Sequence, residues 1–289
     1  MTGDIRIGEC PRRAKVQGSN ALLLTDEPGH QGGAASQPNK TADRLGKPFS
    51  HEDDLPFCVL GAGGHHGRGG AKERTHMQDL TKLLQGNPYP GRGIVVGKGR
   101  VYYWIMGRSS NSRNRIFELT DDGIRTKAFD ESKLEDPSLI IYHPVRTAGD
   151  DLVVTNGDQT DTIVAQGFRE GCMTREYEPD GPNWTPRISS IIHPDGSFEL
   201  SILKHDPNSA EDRCLRQFFS YEGADEGVGY FISTYQGDGN PLPSFAGEPL
   251  AVRMGEPDEV WAALNADNKV SMYANVAGQV KLYNKNLGD

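Results

Sequence analysis

The chain of 289 residues has the length of one large domain or two small ones. Its formal net charge of -9 argues against general binding to nucleic acid, whose backbone repels a negative protein. The scattered cysteines, Cys10, Cys58, Cys172 and Cys214, form no CxxC pair, which favours free thiols in a reducing compartment. No apolar run approaches the roughly 18 residues of a membrane helix, and no secretory leader is recognisable, so we expect a cytoplasmic protein without a membrane partner.

Composition changes near residue 77. Residues 1–76 contain no Tyr or Trp, and Phe49 and Phe57 are their only aromatic residues. So few large side chains cannot offset the backbone entropy of ordering, roughly 1–2 kcal/mol per residue. We therefore predict that residues 1–76 are a disordered or extraneous extension and that the folded domain spans 77–289.

Within the extension, residues 61–70 are rich in glycine and include His65 and His66. No third ligand lies at a useful spacing from the two histidines, so no metal site is predicted. The stretch also lacks the G-x-x-x-x-G-K-[ST] order of a phosphate-binding loop.

The folded part begins with a predicted helix over Met77–Leu84, whose Met77, Leu80, Leu83 and Leu84 share one face. Alternating and continuous apolar runs bounded by turn residues then predict strands at 93–96, 101–106, 139–145, 152–155, 186–192, 198–203, 217–221, 229–235, 270–276 and 279–283. Further helices are predicted at 161–168 and 258–264. Many hairpins with few helices between them indicate an α+β layered fold.

The most informative stretch is a basic window between Gly86 and Phe117. It contains no Asp or Glu but includes six cations, namely Arg92, Lys98, Arg100, Arg108, Arg113 and Arg115. Segregated positive charge on an acidic protein focuses potential where a small anion can bind. Guanidinium groups and hydroxyls such as that of Ser109 donate well to phosphate oxygens. We expect these cations to converge on one hollow that grips a monophosphate; a basic surface hairpin is the alternative.

Two other polar stretches are candidates for function. The run from Asn156 to Thr162 follows a strand and leads into a helix, so Asn156 and Asp158 could hydrogen-bond a flat amide or base edge; ordinary turn and N-cap chemistry is the alternative. Glu176 and Glu178 lie near Arg187, and a carboxylate near an arginine stays ionised and can accept a proton. A solvated charged loop would have the same composition.

Several of these motifs, in order, resemble the archaeal-type IMP cyclohydrolase family. They are the segments 87–93, 107–115, 154–162 and 185–188, and the resemblance runs from about Met77 to the C-terminus. It implies a four-layer αββα sandwich similar to N-terminal-nucleophile hydrolases. The classical version of that fold uses an N-terminal Thr, Ser or Cys. Here a helix and a long tail precede the first strand, so no such nucleophile is predicted.

The resemblance implies closure of the purine ring of FAICAR (5-formamidoimidazole-4-carboxamide ribonucleotide) to IMP with loss of water, the last step of de novo purine biosynthesis. Such an enzyme is classed as a hydrolase acting on cyclic amidines, binds a purine nucleotide, and needs no redox cofactor or metal. A nucleotide-binding module without turnover and a related amide or nucleotide hydrolase are the alternatives. Whether the protein is a homo-oligomer stays open.

With that reaction, the candidate residues take roles. The 5'-phosphate would be held by Arg108, Ser109, Arg113 and Arg115, with Arg92 or Lys98 nearby. Asn156 and Asp158 would orient the carboxamide and the imidazole edge. Tyr142 and Arg187 could donate to the formyl oxygen, and Glu176 or Glu178 would carry the proton.

Overall fold

Strand β3 (Arg100–Met106) shows why the sheets form layers. Its Trp104 lies in one apolar cluster, while its neighbours Tyr103 and Ile105 lie in another. Successive side chains of a strand point to opposite faces of the sheet, so both faces of β3 must be covered. The computed structural model describes residues 77–138 and 140–289; the predictions for the extension at 1–76, including those for His65 and His66, lie outside these residues.

The described residues contain two seven-stranded sheets. The first, in the spatial order β1-β12-β11-β2-β3-β13-β14, adds to β3 the strands β1 (Gln78–Asp79), β2 (Gly93–Gly97), β11 (Val228–Ser233), β12 (Leu250–Arg253), β13 (Lys269–Val276) and β14 (Gln279–Asn284). The second, in the order β10-β9-β8-β7-β6-β5-β4, contains β4 (Arg115–Thr120), β5 (Gly123–Ala128), β6 (Val145–Ala148), β7 (Asp151–Thr155), β8 (Arg187–Ile192), β9 (Phe198–His205) and β10 (Cys214–Tyr221). All neighbours pair antiparallel except β1 and β12.

The helices lie on the outer faces of the two sheets. They are α1 (Leu80–Gln85), α3 (Gln159–Gln166), α4 (Phe168–Met173) and α5 (Pro257–Ala263), with a single turn, α2 (Ser110–Arg113), between β3 and β4. Side chains of α1 and α5 share a cluster with one face of the first sheet, and those of α3 and α4 with one face of the second. A third cluster fills the space between the sheets. This helix–sheet–sheet–helix order confirms the predicted four-layer αββα sandwich.

Most predicted elements are confirmed, including the hairpins β2–β3, β8–β9 and β13–β14. The first helix begins only at Leu80, because Asp79 accepts hydrogen bonds from the amides of Thr81 (3.0 Å) and Lys82 (3.4 Å) and caps it. Strands β1, β4, β5, β6 and β12 and the turn α2 were not anticipated, since each is short or interrupted by polar residues.

The strand predicted over 139–145 is wrong between Ile140 and Pro144, where the chain is irregular. Pro144 has no amide hydrogen for a ladder. Tyr142 instead donates its amide hydrogen to the Thr126 hydroxyl (2.8 Å) and accepts at its carbonyl from the Thr126 amide (2.8 Å). Ile140 and Tyr142 are buried although they lie in a loop, so apolar content alone indicated a strand.

One side chain, Asn284 at the end of β14, joins the two sheets at a corner. Its Oδ1 accepts hydrogen bonds from the Phe117 amide (2.7 Å) and the Ser271 hydroxyl (2.7 Å), and its Nδ2 donates to the Phe117 carbonyl (3.1 Å). Because Phe117 lies in the edge strand β4, the amide of Asn284 takes the place of a neighbouring strand. This clamp fixes β4, which begins at Arg115.

We predict that Asn284→Ala lowers the free energy of unfolding by about 1–3 kcal/mol, because it leaves the buried amide and carbonyl of Phe117 without partners. Chemical denaturation of the full chain measures this. Asn275→Ala is the matched control, since Asn275 accepts one exposed hydrogen bond, from the Gly278 amide, in the next hairpin turn. Equal losses for the two variants would contradict the clamp.

Candidate active site

A pocket of about 320 Å³ opens at the end of the sandwich where β2, β4 and β8 begin and β3 and β11 end. Loops from both sheets supply its lining. The lining residues are Tyr89, Arg92, Met106, Arg108, Ser109, Asn111, Ser112, Arg115, Asp136, Ile140, Glu178, Asp180, Asn183, Thr185, Tyr235 and Leu242. A concave site with a few convergent polar groups is where a small ligand is expected to bind.

The loop before β2 presents Arg92 to the pocket, and Gly91 makes this loop possible. Gly91 has φ 73°, and a Cβ there would lie 2.2 Å from the Thr234 hydroxyl. The close approach lets the Arg92 amide donate to Thr234 Oγ1 (3.1 Å), while the Thr234 amide donates to the Arg92 carbonyl (2.9 Å). Arg92 is thereby fixed against the end of β11.

Two guanidinium groups, the buried one of Arg115 and the largely buried one of Arg92, lie in the floor of the pocket. Arg115 is 1% exposed and donates from Nε to the Ser112 carbonyl (2.8 Å). Among the described residues, Arg115 Nη1 and Arg92 Nε have no hydrogen-bond partner. Because an unpaired buried charge is costly, these donors fit an anionic or strongly polar ligand.

Glu178 is the carboxylate closest to these cations, with Oε2 lying 3.4 Å from Arg92 Nη2. Burial raises the pKa of Glu178, although attraction to Arg92 and Arg187 opposes the shift. Burial by itself lowers the pKa of Arg92, but Glu178 and nearby tyrosines raise it well above its ordinary value. The pocket therefore holds a carboxyl group of raised pKa beside a permanent cation, a combination typical of a proton carrier.

Three side chains on the pocket wall form a hydrogen-bonded chain. The Thr185 hydroxyl lies 2.5 Å from that of Tyr235 and also contacts the Asp180 carboxylate, which accepts from the Thr185 amide at 2.7 Å. Burial raises the pKa of Tyr235 to about 12, so its hydroxyl stays protonated at neutral pH. The ring of Tyr235 stacks on that of Tyr89, with centroids 5.9 Å apart.

The mouth of the pocket is more exposed than its floor. Arg108, whose side chain is 39% exposed, places its guanidinium carbon 5.0 Å from the centroid of the Tyr89 ring. The Ser109 hydroxyl accepts from the Ser112 amide (3.1 Å) and caps the turn α2. A cation and hydroxyls at the solvent edge suit a hydrated anionic group.

The structure brings together five of the predicted site residues, Arg92, Arg108, Ser109, Arg115 and Glu178, in the pocket lining. Tyr142 lies just behind them, close to Arg92 and Arg115, and its buried hydroxyl is 2.9 Å from that of Tyr103. Arg187 also lies behind the lining, near enough for its charge to act on Glu178.

The other predicted residues lie elsewhere. Lys98 is in the β2–β3 turn, at the opposite end of the sheets. Arg113 is directed at the Gly107 carbonyl (2.8 Å) and Asn268 Oδ1 (3.0 Å), outside the lining. Glu176 is exposed, with its nearest cation, Arg216, 3.9 Å away. The six cations therefore do not converge on one hollow, and Arg92, Arg100 and Arg108 have acidic partners, namely Glu178, Glu256 and Asp238.

Asn156 and Asp158 hold the scaffold in place and do not line the pocket. The fully buried amide of Asn156 accepts from the Ile188 amide (2.8 Å) and Gln159 Nε2 (2.9 Å) and donates to the Pro186 carbonyl (2.9 Å). Asp158 accepts from Arg187 Nη1 (2.7 Å) and also pairs with Arg175. The motif therefore anchors the start of β8 and positions Arg187, and its own polar atoms are occupied.

Sequence reasoning did not select Tyr89, Asp180, Asn183, Thr185 or Tyr235 as site residues. Tyr89 and Thr185 lie inside two of the motifs that carry the family resemblance, 87–93 and 185–188, and those motifs are their local signal. Tyr235 follows an apolar strand and Asp180 lies in a charged loop, and neither carries a local signal.

Among the described residues, no helix has the length and apolar character needed to cross a membrane. In the same part of the chain, no three His, Cys, Asp or Glu side chains are grouped so as to hold a metal ion.

Comparison with known proteins places this pocket in a family. The family model for IMP cyclohydrolase-like protein matches residues 89–281, which include every residue of the pocket lining. A protein named IMP cyclohydrolase from Halobacterium salinarum is 29% identical over 158 residues, covering 50% of this chain and 79% of the relative. Relatives of the same name from Methanosphaera stadtmanae and Methanococcus aeolicus are 28% and 24% identical over 162 residues, each covering 51% of this chain and 74% of the relative. Because the family match spans more than half of its length, the chain belongs to the family of IMP cyclohydrolase-like proteins.

Proposed function

We propose that this protein is an IMP cyclohydrolase that closes FAICAR to IMP and water. The observation that carries the proposal is that the buried guanidinium group of Arg115 and the largely buried one of Arg92, whose side chain is 12% exposed, share one pocket with the buried carboxyl group of Glu178. The names of the relatives support the same reaction. In the reverse direction the enzyme would hydrolyse a carbon–nitrogen bond of a cyclic amidine, which is the basis for classing it as a hydrolase.

The reaction makes one bond and removes one water. The carboxamide nitrogen bonds to the formyl carbon and loses a proton, while the formyl oxygen gains one and becomes a hydroxyl group. The hydroxyl then leaves as water, taking a second proton, and the formamido nitrogen loses its hydrogen to form the C=N bond. An amide is a weak nucleophile, so orientation beside the formyl carbon must supply much of the rate.

Exposure indicates how the substrate is oriented. The phosphate is a hydrated dianion and suits the mouth, where Arg108 is 39% exposed beside Ser109. The ring must leave water to react and suits the floor, where Arg115 is 1% exposed. The stacked rings of Tyr89 and Tyr235 offer a flat apolar contact for the imidazole.

The groups on the floor meet the demands of ring closure. The formyl oxygen gains negative charge, and the unpartnered donors of Arg115 and Arg92 are fixed in a site shielded from water, where they act strongly. Glu178, when ionised, accepts the proton that leaves nitrogen and returns it to the departing hydroxyl. Tyr142 and Arg187, which lie behind these groups, would support the same charges.

The first test is turnover. We expect purified full-length protein to convert FAICAR to IMP, followed by the change in ultraviolet spectrum and by chromatography of the product. Tight binding of IMP without turnover would instead indicate a binding module, and release of a different product would indicate a related hydrolase.

Glu178→Gln should lower kcat on the order of 100-fold or more while IMP binding persists, because the amide keeps the shape of the side chain but transfers no proton. Glu176→Gln is the matched control and should leave kcat within about twofold, since Glu176 lies outside the pocket lining. An unchanged kcat in Glu178→Gln would remove this carboxylate from the reaction.

The proposed role of Glu178 predicts how kcat depends on pH. If ionised Glu178 is the active form, kcat falls as the pH falls through its pKa, and burial raises that pKa above the ordinary value of 4.5. The acidic limb should therefore lie above pH 4.5 in the wild type and be absent from the residual activity of Glu178→Gln. An acidic limb that persists in this variant would belong to another group.

Arg108→Ala should raise KM for FAICAR on the order of tenfold with a smaller effect on kcat, because a charge-assisted hydrogen bond to phosphate contributes about 1.5–3 kcal/mol and this arginine is partly exposed. Lys98→Ala, at the opposite end of the sheets, should leave KM unchanged. Equal KM values for wild type and Arg108→Ala would place the phosphate elsewhere.

A further inference from the structure

Arg108, the cation at the mouth of the pocket, is already paired with an acid of the same chain. Its Nη1 donates to Asp238 Oδ1 (2.6 Å) and to the Gly239 carbonyl (3.2 Å). Asp238 is 51% exposed and is not itself part of the pocket lining. The carboxylate therefore occupies one nitrogen of the guanidinium group that the proposed function assigns to the phosphate.

The loop between β11 and β12 presents this carboxylate at a defined place. The Gln236 amide donates to the Pro243 carbonyl (2.9 Å), and Asn87 Nδ2 donates to the Gln236 carbonyl (2.9 Å). The Leu242 amide donates to Asn183 Oδ1 (3.1 Å), and Asp238 Oδ1 accepts from the Gly239 amide (2.9 Å). The segment 236–243 of this loop is thus tied at both of its ends, with Asp238 between them.

The pair is not needed to hold Arg108 in position. The ring of Tyr89 already supports the guanidinium group, 5.0 Å from its centroid, and the ring in turn stacks on Tyr235. Exposed ion pairs contribute little to stability. Neither stability of the fold nor support of Arg108 therefore explains the ion pair between Asp238 and Arg108.

We propose that Asp238 is an internal competitor for the phosphate site. In the empty pocket it neutralises Arg108, and an incoming phosphate must displace it. The free energy lost when Asp238 is displaced from Arg108 can be offset, for a nucleotide, by contacts of its ring on the floor of the pocket. Free inorganic phosphate has no such contacts. Asp238 thereby keeps small anions from occupying the mouth and sets the affinity for the nucleotide; this inference rests on the proposed function.

Calorimetric titration of the full-length protein with IMP, inosine and inorganic phosphate tests the proposal. Asp238→Asn should lower the Kd of IMP and of inorganic phosphate about two- to fivefold and leave the Kd of inosine unchanged, since inosine carries no phosphate. Asp150→Asn makes the same change in charge at the opposite end of the sheets and should leave all three values unchanged. In an Arg108→Ala background, Asp238→Asn should no longer tighten binding.

An equal or higher Kd of IMP in Asp238→Asn would overturn the proposal and make Asp238 a support for Arg108. A decrease in the Kd of IMP that persists in the Arg108→Ala background, or that Asp150→Asn reproduces, would also overturn the proposal. The change in net charge would then explain the tighter binding. If wild type binds inorganic phosphate but not IMP, and Asp238→Asn tightens the phosphate, the competitor role stands while the IMP assignment fails. Binding of neither ligand to any variant would overturn both.

Discussion

Two arginines and one glutamate, buried together at the end of a sandwich, are the interaction on which the site depends. Arg92 and Glu178 form an ion pair, and Arg115 adds a second positive charge that forms no ion pair with a carboxylate of the described residues. Removing charges from water is costly, and a buried cation without a partner contributes nothing to folding that an apolar side chain would not provide better. Such an arrangement is expected where a ligand supplies the missing charge or where charge develops in a reaction.

The fold meets the cost of this arrangement with contacts around it. Gly91 permits the loop that holds Arg92, and Asn284 clamps the strand that begins at Arg115. The Asn156 side chain ties β7 to the start of β8, where Arg187 lies behind Glu178. The two arginines are thus held by polar contacts away from the pocket, which leaves Arg92 Nε and Arg115 Nη1 open to a ligand.

The basic window illustrates how far local sequence can predict a site. The absence of acids near Arg92, Arg108 and Arg115 correctly indicated that they cluster, because the end of β3 and the starts of β2 and β4 lie at the same end of the sandwich. Lys98 is close to Arg92 in sequence, but it lies at the other end of strand β2, a full strand length from the pocket. The acidic partners are distant in sequence, 86 residues for Arg92 and 130 for Arg108, so no local inspection could have found them.

The sequence by itself determined the layered α+β class, most strands and helices, and the motifs that resemble the family, because these depend on side-chain periodicity and turn residues within short windows. Only the tertiary structure decided that residues 140–144 form a loop and not a strand, and that Asn156 bonds to the backbone before β8 and not to a ligand. It also decided that Tyr235 and Asp180 reach the pocket and that Asp238 contacts Arg108. These outcomes depend on which strand ends meet and which polar atoms find a partner there, and both are set by contacts between residues far apart in the chain.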